Sequence, residues 1–264
     1  MPHETGLSLA EIVPELAGYA DWFDTFSTSY VNEETHGPLE LKIQHTARVT
    51  MHARRIASSQ ALEPAVERAT RLAAMFHDVG RFPQFARWRT FRDPDSANHG
   101  KLGASALREH HVLADETAEV GRLTLVAVAL HNRYALPEQL DRDARVVTDI
   151  VRDADKIDIL RIFSMELSKP EPSPDVVLHV AREPEQWSPA IADMLMEGRV
   201  PDYKELHFVN DFVMLLCSWL PELAFEESRK IVREAGTIEM LLDTLPHNPA
   251  LNPVRERVRF LLRG

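Results

Sequence analysis

The sequence predicts an all-α protein. Three observations carry this: apolar residues recur at helical spacing along most of the chain, β-branched alternation is scarce, and glycine is limited to 10 of 264 residues. The first helix is expected from an N-cap at Ser8 to about Phe26. It carries Leu9, Ile12, Leu16, Tyr19, Trp22, Phe23 and Phe26, with Pro14 as a kink or a late start. Gly37-Pro38 opens a second helix with the inner stripe Leu41, His45, Val49, His52 and Ile56. Glu63-Pro64 opens a third, in which Ala69, Ala73 and His77 form a small-residue stripe that admits a close neighbour. Residues 80–98 are less regular.

Further helices are expected from Asn98 to His111, from Asp115 to Arg133, and from Asp143 to about Ser168. Pro137 interrupts the pattern, and Val147, Val151 and Asp155 share a stripe on the last of these helices. Pro170, Pro172 and Pro174 mark a surface connection. Beyond it come helices near 174–183, 189–198, 204–220, 225–235, 237–245 and 253–262. The proline-rich segment divides a core at 1–168 from C-terminal helices at 175–264, and one compact unit is equally compatible with the pattern.

Composition narrows the function. The net charge is −11, from 41 acidic and 30 basic residues. That argues against a nucleic-acid polymer as partner but allows a small phosphorylated ligand in a local positive pocket. Cys217 is the lone cysteine and lies among apolar neighbours. A free thiol suits a reducing cytoplasm, the N-terminal residues lack the pattern of a signal peptide, and no apolar run reaches membrane-spanning length. A homo-oligomer is compatible with all of this.

The chemistry gathers at Phe76-His77-Asp78-Val79-Gly80-Arg81. His45, His99, His131 and Asp155 fall around it at separations of about one helix and its connection, so an antiparallel array can deliver one ligand per helix to a shared centre. A buried Asp155 needs a partner, and a cation would supply it. Such a His/Asp set suits Zn, Fe, Mn, Co or Ni. Downstream, Arg81, Arg87, Arg89 and Arg92 alternate with Phe82, Pro83, Phe85, Trp88 and Phe91, without an acidic residue between 81 and 92. Arginine forks suit phosphate oxygens and aromatic faces suit a nucleobase, so these arginines, with Lys156 beside Asp155, are substrate-binding candidates.

His45, His77-Asp78, His99, His131 and Asp155 together resemble the ligand pattern of the HD-domain superfamily of metal-dependent phosphohydrolases. Phe-His-Asp-Val-Gly-Arg resembles its signature, and Arg-Asp-Ala-Asp-Lys-Ile-Asp at 152–158 its closing aspartate motif. The resemblance covers roughly 38–160. It implies an HD-like helical bundle with additional C-terminal helices, and a first divalent metal held by His45, His77, Asp78 and Asp155. It also implies a second metal at Asp78, His99 and His131, or those histidines turned to substrate phosphate or proton transfer. One or two ions are thus implied, Mg among the choices. Arg81 stands where the family usually carries Lys or Arg, which makes it a catalytic as well as a binding candidate with Asp78, His99 and His131. The implied reaction is attack of a metal-activated water at phosphorus in a nucleotide or another small phosphate ester. Two alternatives share the pattern: an HD-fold di-iron oxygenase of a small organic substrate, and a non-catalytic ligand sensor.

Overall fold

The structure, a computed structural model, describes residues 8–169 and 180–263. It divides into two compact units, Met1–Asp155 and Lys156–Gly264. The described residues contain no strand, only an isolated bridge between Ala181 and Phe208.

The first unit begins with α1 (Leu9–Ile12) and α2 (Ala17–Thr28). The single expected helix is therefore two. Ser8 caps α1 and forms a capping box with Glu11, but Pro14 stops α1 and opens a 3₁₀ turn over Pro14–Leu16. Next come α3 (His36–Ser58), α4 (Pro64–Phe76), α5 (Arg81–Trp88), α6 (His99–Glu109), α7 (Ala118–Leu130) and α8 (Arg142–Leu167), whose residues from 156 onward belong to the second unit. α5 was not expected. Its Pro83 sits in the first turn, where the missing N–H costs nothing, so the segment tolerates a helix despite its proline. On α3 the inner stripe includes Leu39 in place of Leu41, which is exposed.

α4 is the spine of this unit. Val66, Ala69, Thr70, Leu72, Ala73, Ala74, Met75 and Phe76 are all buried, so it is covered on nearly every side, with α3 and α7 packed against it. Trp22 meets Phe76 edge-on at 5.7 Å, and full burial of a ring of this size is worth roughly 2–3 kcal/mol.

Two glycines set how closely α6 approaches. Gly80 has an ordinary right-handed backbone, φ −69°, so the turn itself does not require glycine. Proximity does: a Cβ there would lie 2.1 Å from the His99 carbonyl oxygen and 2.5 Å from the Gly103 nitrogen. A Cβ on Gly100 would lie 2.8 Å from the Val128 oxygen of α7. α6 is thus held between the 77–80 turn and α7, with His99 at its first position.

In the second unit, α9 (Pro189–Met196), α10 (Val209–Cys217), α11 (Glu226–Ala235), α12 (Thr237–Thr244) and α13 (Asn252–Arg263) enclose a separate core. Phe212, Leu215, Leu216 and Cys217 are buried, and Phe212 meets Phe163 of α8 at 4.8 Å. Within the helix expected at 204–220, residues 203–205 and 220–222 are 3₁₀ turns flanking α10, because Asp211 takes over the helix start. Its buried carboxylate accepts from Ser188 N, Ser188 Oγ, His207 N and Phe208 N at 2.7–3.1 Å. Of the helix expected at 174–183, positions 174–179 lie outside the described residues and 180–183 are not helical.

Candidate metal centre

Five elements deliver the six residues singled out in the sequence. α3 carries His45, the end of α4 supplies His77 and Asp78, α6 begins with His99, α7 ends at His131, and α8 carries Asp155. They form two groups, His45–His77–Asp155 and Asp78–His99–His131, each with one ligand atom per residue inside a 4.8 Å spread. All but Asp155 are buried, and its side chain is about one-fifth exposed.

Asp78 lies between the groups. Its Oδ2 is 3.7 Å from both His45 Nε2 and His77 Nε2, and its Oδ1 is 3.3 Å from His99 Nε2 and 3.8 Å from His131 Nε2. Burial pushes its carboxyl pKa up. Lys42, His77 and Arg81 outweigh that and hold it well below the usual carboxylate range. Asp155 is likewise shifted down, the hydrogen bond from His45 and the charges of His45 and His77 overcoming desolvation. Burial depresses His77 and His99 to about 4, so both are neutral near pH 7.

Hydrogen bonding at the far side of each ring fixes which nitrogen faces inward. His77 Nδ1 donates to Ala74 O and His131 Nδ1 donates to Val128 O, each at 2.8 Å, because a carbonyl can only accept. His99 Nδ1 lies 2.8 and 2.9 Å from the two carboxylate oxygens of Asp93 and donates to them. The Nε2 atoms of His77, His99 and His131 therefore present bare lone pairs. His99 Nε2 and His131 Nε2 stand 3.0 Å apart, with Asp78 Oδ1 beside them. Two ring nitrogens and a carboxylate oxygen converge there, and a divalent cation is a group that fits them. In the other group His45 Nε2 lies 3.1 Å from Asp155 Oδ1 and 3.3 Å from His77 Nε2, so a proton on His45 can serve in a cation's place.

Residues 43–160 match the family model described as HD domain. This segment is an HD domain. HD domains are helical, bind divalent metals and are in general metal-dependent hydrolases. Searches of curated proteins and of solved structures return no match.

The other residues singled out in the sequence are placed as follows. Arg81 donates to Phe91 O, to Gln84 Oε1 at 2.9 Å and to Asp93 Oδ1 at 3.2 Å, with Asp78 Oδ1 at 3.4 Å. Its fork is committed within the HD domain. Arg87 stacks on Trp88, Arg89 pairs with Glu34 and Arg92 with Asp95; none of these partners is among the six. Lys156 belongs to the second unit and pairs there with Glu222.

Two residues at the centre escaped the sequence reading. Lys42 puts Nζ 2.7 Å from Asp78 Oδ2 and 5.6 Å from the Phe91 ring centroid, with its side chain about one-fifth exposed. Its position three residues before His45, on the same helix face, is the signal that would have found it. Asp93, the partner of His99, lies in the irregular segment, where periodicity gives no cue.

Proposed function

We propose that the chain hydrolyses a small phosphate ester, a nucleotide among the candidates, with two divalent cations sharing Asp78. The observation that carries this is the Asp78 carboxylate lying between two ligand groups with one oxygen toward each. When bound, such cations lower the pKa of a water and polarise a phosphoryl oxygen. The HD domain's general hydrolase character supports water as the attacking group.

In this reading His99 and His131 are ligands, since both offer bare Nε2 atoms inward and neither holds a proton there to give a leaving group. Lys42 is the cation nearest the ligand set with solvent access, and its ammonium supplies positive charge for phosphoryl oxygens. Arg81 acts one step back by holding Asp78 and Asp93. Arg87, Arg89, Arg92 and Lys156 are assigned only outer roles, because each has another partner. The substrate is a small molecule, consistent with an acidic chain.

The test is a panel of nucleotides and phosphate esters assayed anaerobically with the Mn- or Fe-loaded chain. Release of phosphate or nucleotide is expected. Oxygen consumption on an organic substrate without phosphate release would replace hydrolysis by the oxygenase reading, and failure to bind any divalent metal would favour a sensor.

A further inference from the structure

The His99 ring is held differently from the other inward-facing rings. His77 and His131 donate Nδ1–H to carbonyls of their own helices, Ala74 and Val128, contacts that come with the helix geometry. His99 donates to a carboxylate from outside its helix, and that carboxylate is itself anchored. Asp93 Oδ1 also accepts from Gln84 Nε2 at 2.9 Å and Arg81 Nη1 at 3.2 Å. Asp93 Oδ2 accepts from Asn132 Nδ2 at 2.8 Å, with Asn98 Nδ2 at 3.4 Å. Gln84 is fully buried; its Oε1 accepts from Arg81, and its Nε2 also lies 2.9 Å from Ser96 Oγ and from Ala97 O, which ties the 93–98 segment to α5. Donors from α5, α6 and the residues after α7 thus converge on one carboxylate, which faces a single ligand ring.

We propose that Asp93 is the positioning residue for the second cation. It holds His99 in the Nδ1–H form so that Nε2 stays a bare donor toward the Asp78–His99–His131 position. Among the six residues the contact of Asp93 is to His99, in the Asp78–His99–His131 group, so the effect falls on that position. A carboxylate behind a ligating histidine raises its basicity as well as fixing its ring, and loss of such a partner costs about 10- to 100-fold in metal affinity. Asn would not substitute. It has one accepting oxygen, and its amide nitrogen would stand either where Oδ1 meets Gln84 and Arg81 or where Oδ2 meets Asn132, in each case against donors.

This inference rests on the reading of the six residues as a two-cation centre, and the experiment separates the two. Metal content and stepwise Mn affinity are measured for wild type, Asp93→Asn and Asp93→Ala, with ¹⁵N shifts of the His99 ring in the metal-free proteins. Expected are two cations in wild type, and in both variants one cation retained at wild-type affinity with the second weakened about 10- to 100-fold. The metal-free wild type should show His99 protonated at Nδ1 only, and the variants should lose that preference. A variant that keeps its first cation is folded, so misfolding is recognised directly, and either variant alone suffices. Equal weakening of both cations in a variant that keeps the wild-type helical circular dichroism, or two cations at unchanged affinity, overturns the role of Asp93. A wild type with fewer than two cations overturns the two-cation reading instead, whatever the variants do.

Discussion

Gly80→Ala puts the packing of α6 under direct test. The added Cβ would sit 2.1 Å from His99 O and 2.5 Å from Gly103 N, against an ordinary contact beginning at 3.4 Å. Both obstacles are backbone atoms, so no side-chain rotation relieves them, and α6 or the 77–80 turn has to move by roughly 1 Å. α6 cannot yield freely toward α7, because a Cβ at Gly100 would already lie 2.8 Å from Val128 O. Overpacking of this kind costs about 1–3 kcal/mol, and the upper end is expected here. At roughly 2–4 °C per kcal/mol for a domain of this size, Tm should fall by about 6–12 °C. The same displacement carries His99 Nε2 away from Asp78 Oδ1 and His131 Nε2, now at 3.3 and 3.0 Å, and should weaken the second cation roughly 10-fold or more. Thermal unfolding by circular dichroism and stepwise metal titration read the two effects. A Tm within about 1 °C of wild type and unchanged binding of both cations would refute the argument that glycine is needed for close approach.

Further outcomes follow from other contacts. Asp78→Ala should remove both cations and all activity while far-UV circular dichroism keeps its helical signal; stoichiometric metal in that variant would contradict the bridging role. Lys42→Met should leave metal content intact and raise KM for a phosphate ester about 10-fold, and unchanged kinetics would take Lys42 out of substrate binding. Cys217, its pKa pushed up to about 12 by burial, should resist alkylation at pH 8 in the native protein and react once urea unfolds it. The buried Glu116 carboxylate, lowered chiefly by its hydrogen bond from Arg68 and also by that from Tyr19, stabilises the fold above its ordinary pKa of 4.5 and loses that contribution as pH falls through the lowered value. Arg68→Met should therefore cost roughly 0.5–1 kcal/mol at neutral pH and less in acid, read from urea unfolding at pH 7 and pH 3.

How much of this was legible depended on periodicity. The helices bearing His45, His77, His131 and Asp155 announce themselves by 3.6-residue stripes, and Asn98 caps α6 through Lys101 N as its position suggests. The stretch 80–98 was opaque because its organisation is not periodic. Gln84, Asp93 and Asn132 find one another only after folding, and no spacing rule links 84, 93 and 132. The arginines there read as a phosphate surface by composition, yet Arg81 is drawn into that knot while Arg89 and Arg92 meet Glu34 and Asp95. Gly80 lies in a turn, where a glycine suggests a conformational need. Its backbone angle is ordinary, and the contact that demands glycine comes from a helix 19 residues further along the sequence. The split of the first helix at Pro14 reflects a rule that was visible, a proline beyond the first turn, acting more strongly than an apolar stripe.

The central claim is that six residues hold two cations with Asp78 shared between them. Anomalous diffraction from crystals of the metal-loaded protein tests it most directly. The expected result is two peaks per chain, one beside His45, His77 and Asp155 and the other beside His99 and His131, with Asp78 touching both. A single peak, or two peaks with Asp78 bound to only one, would contradict it.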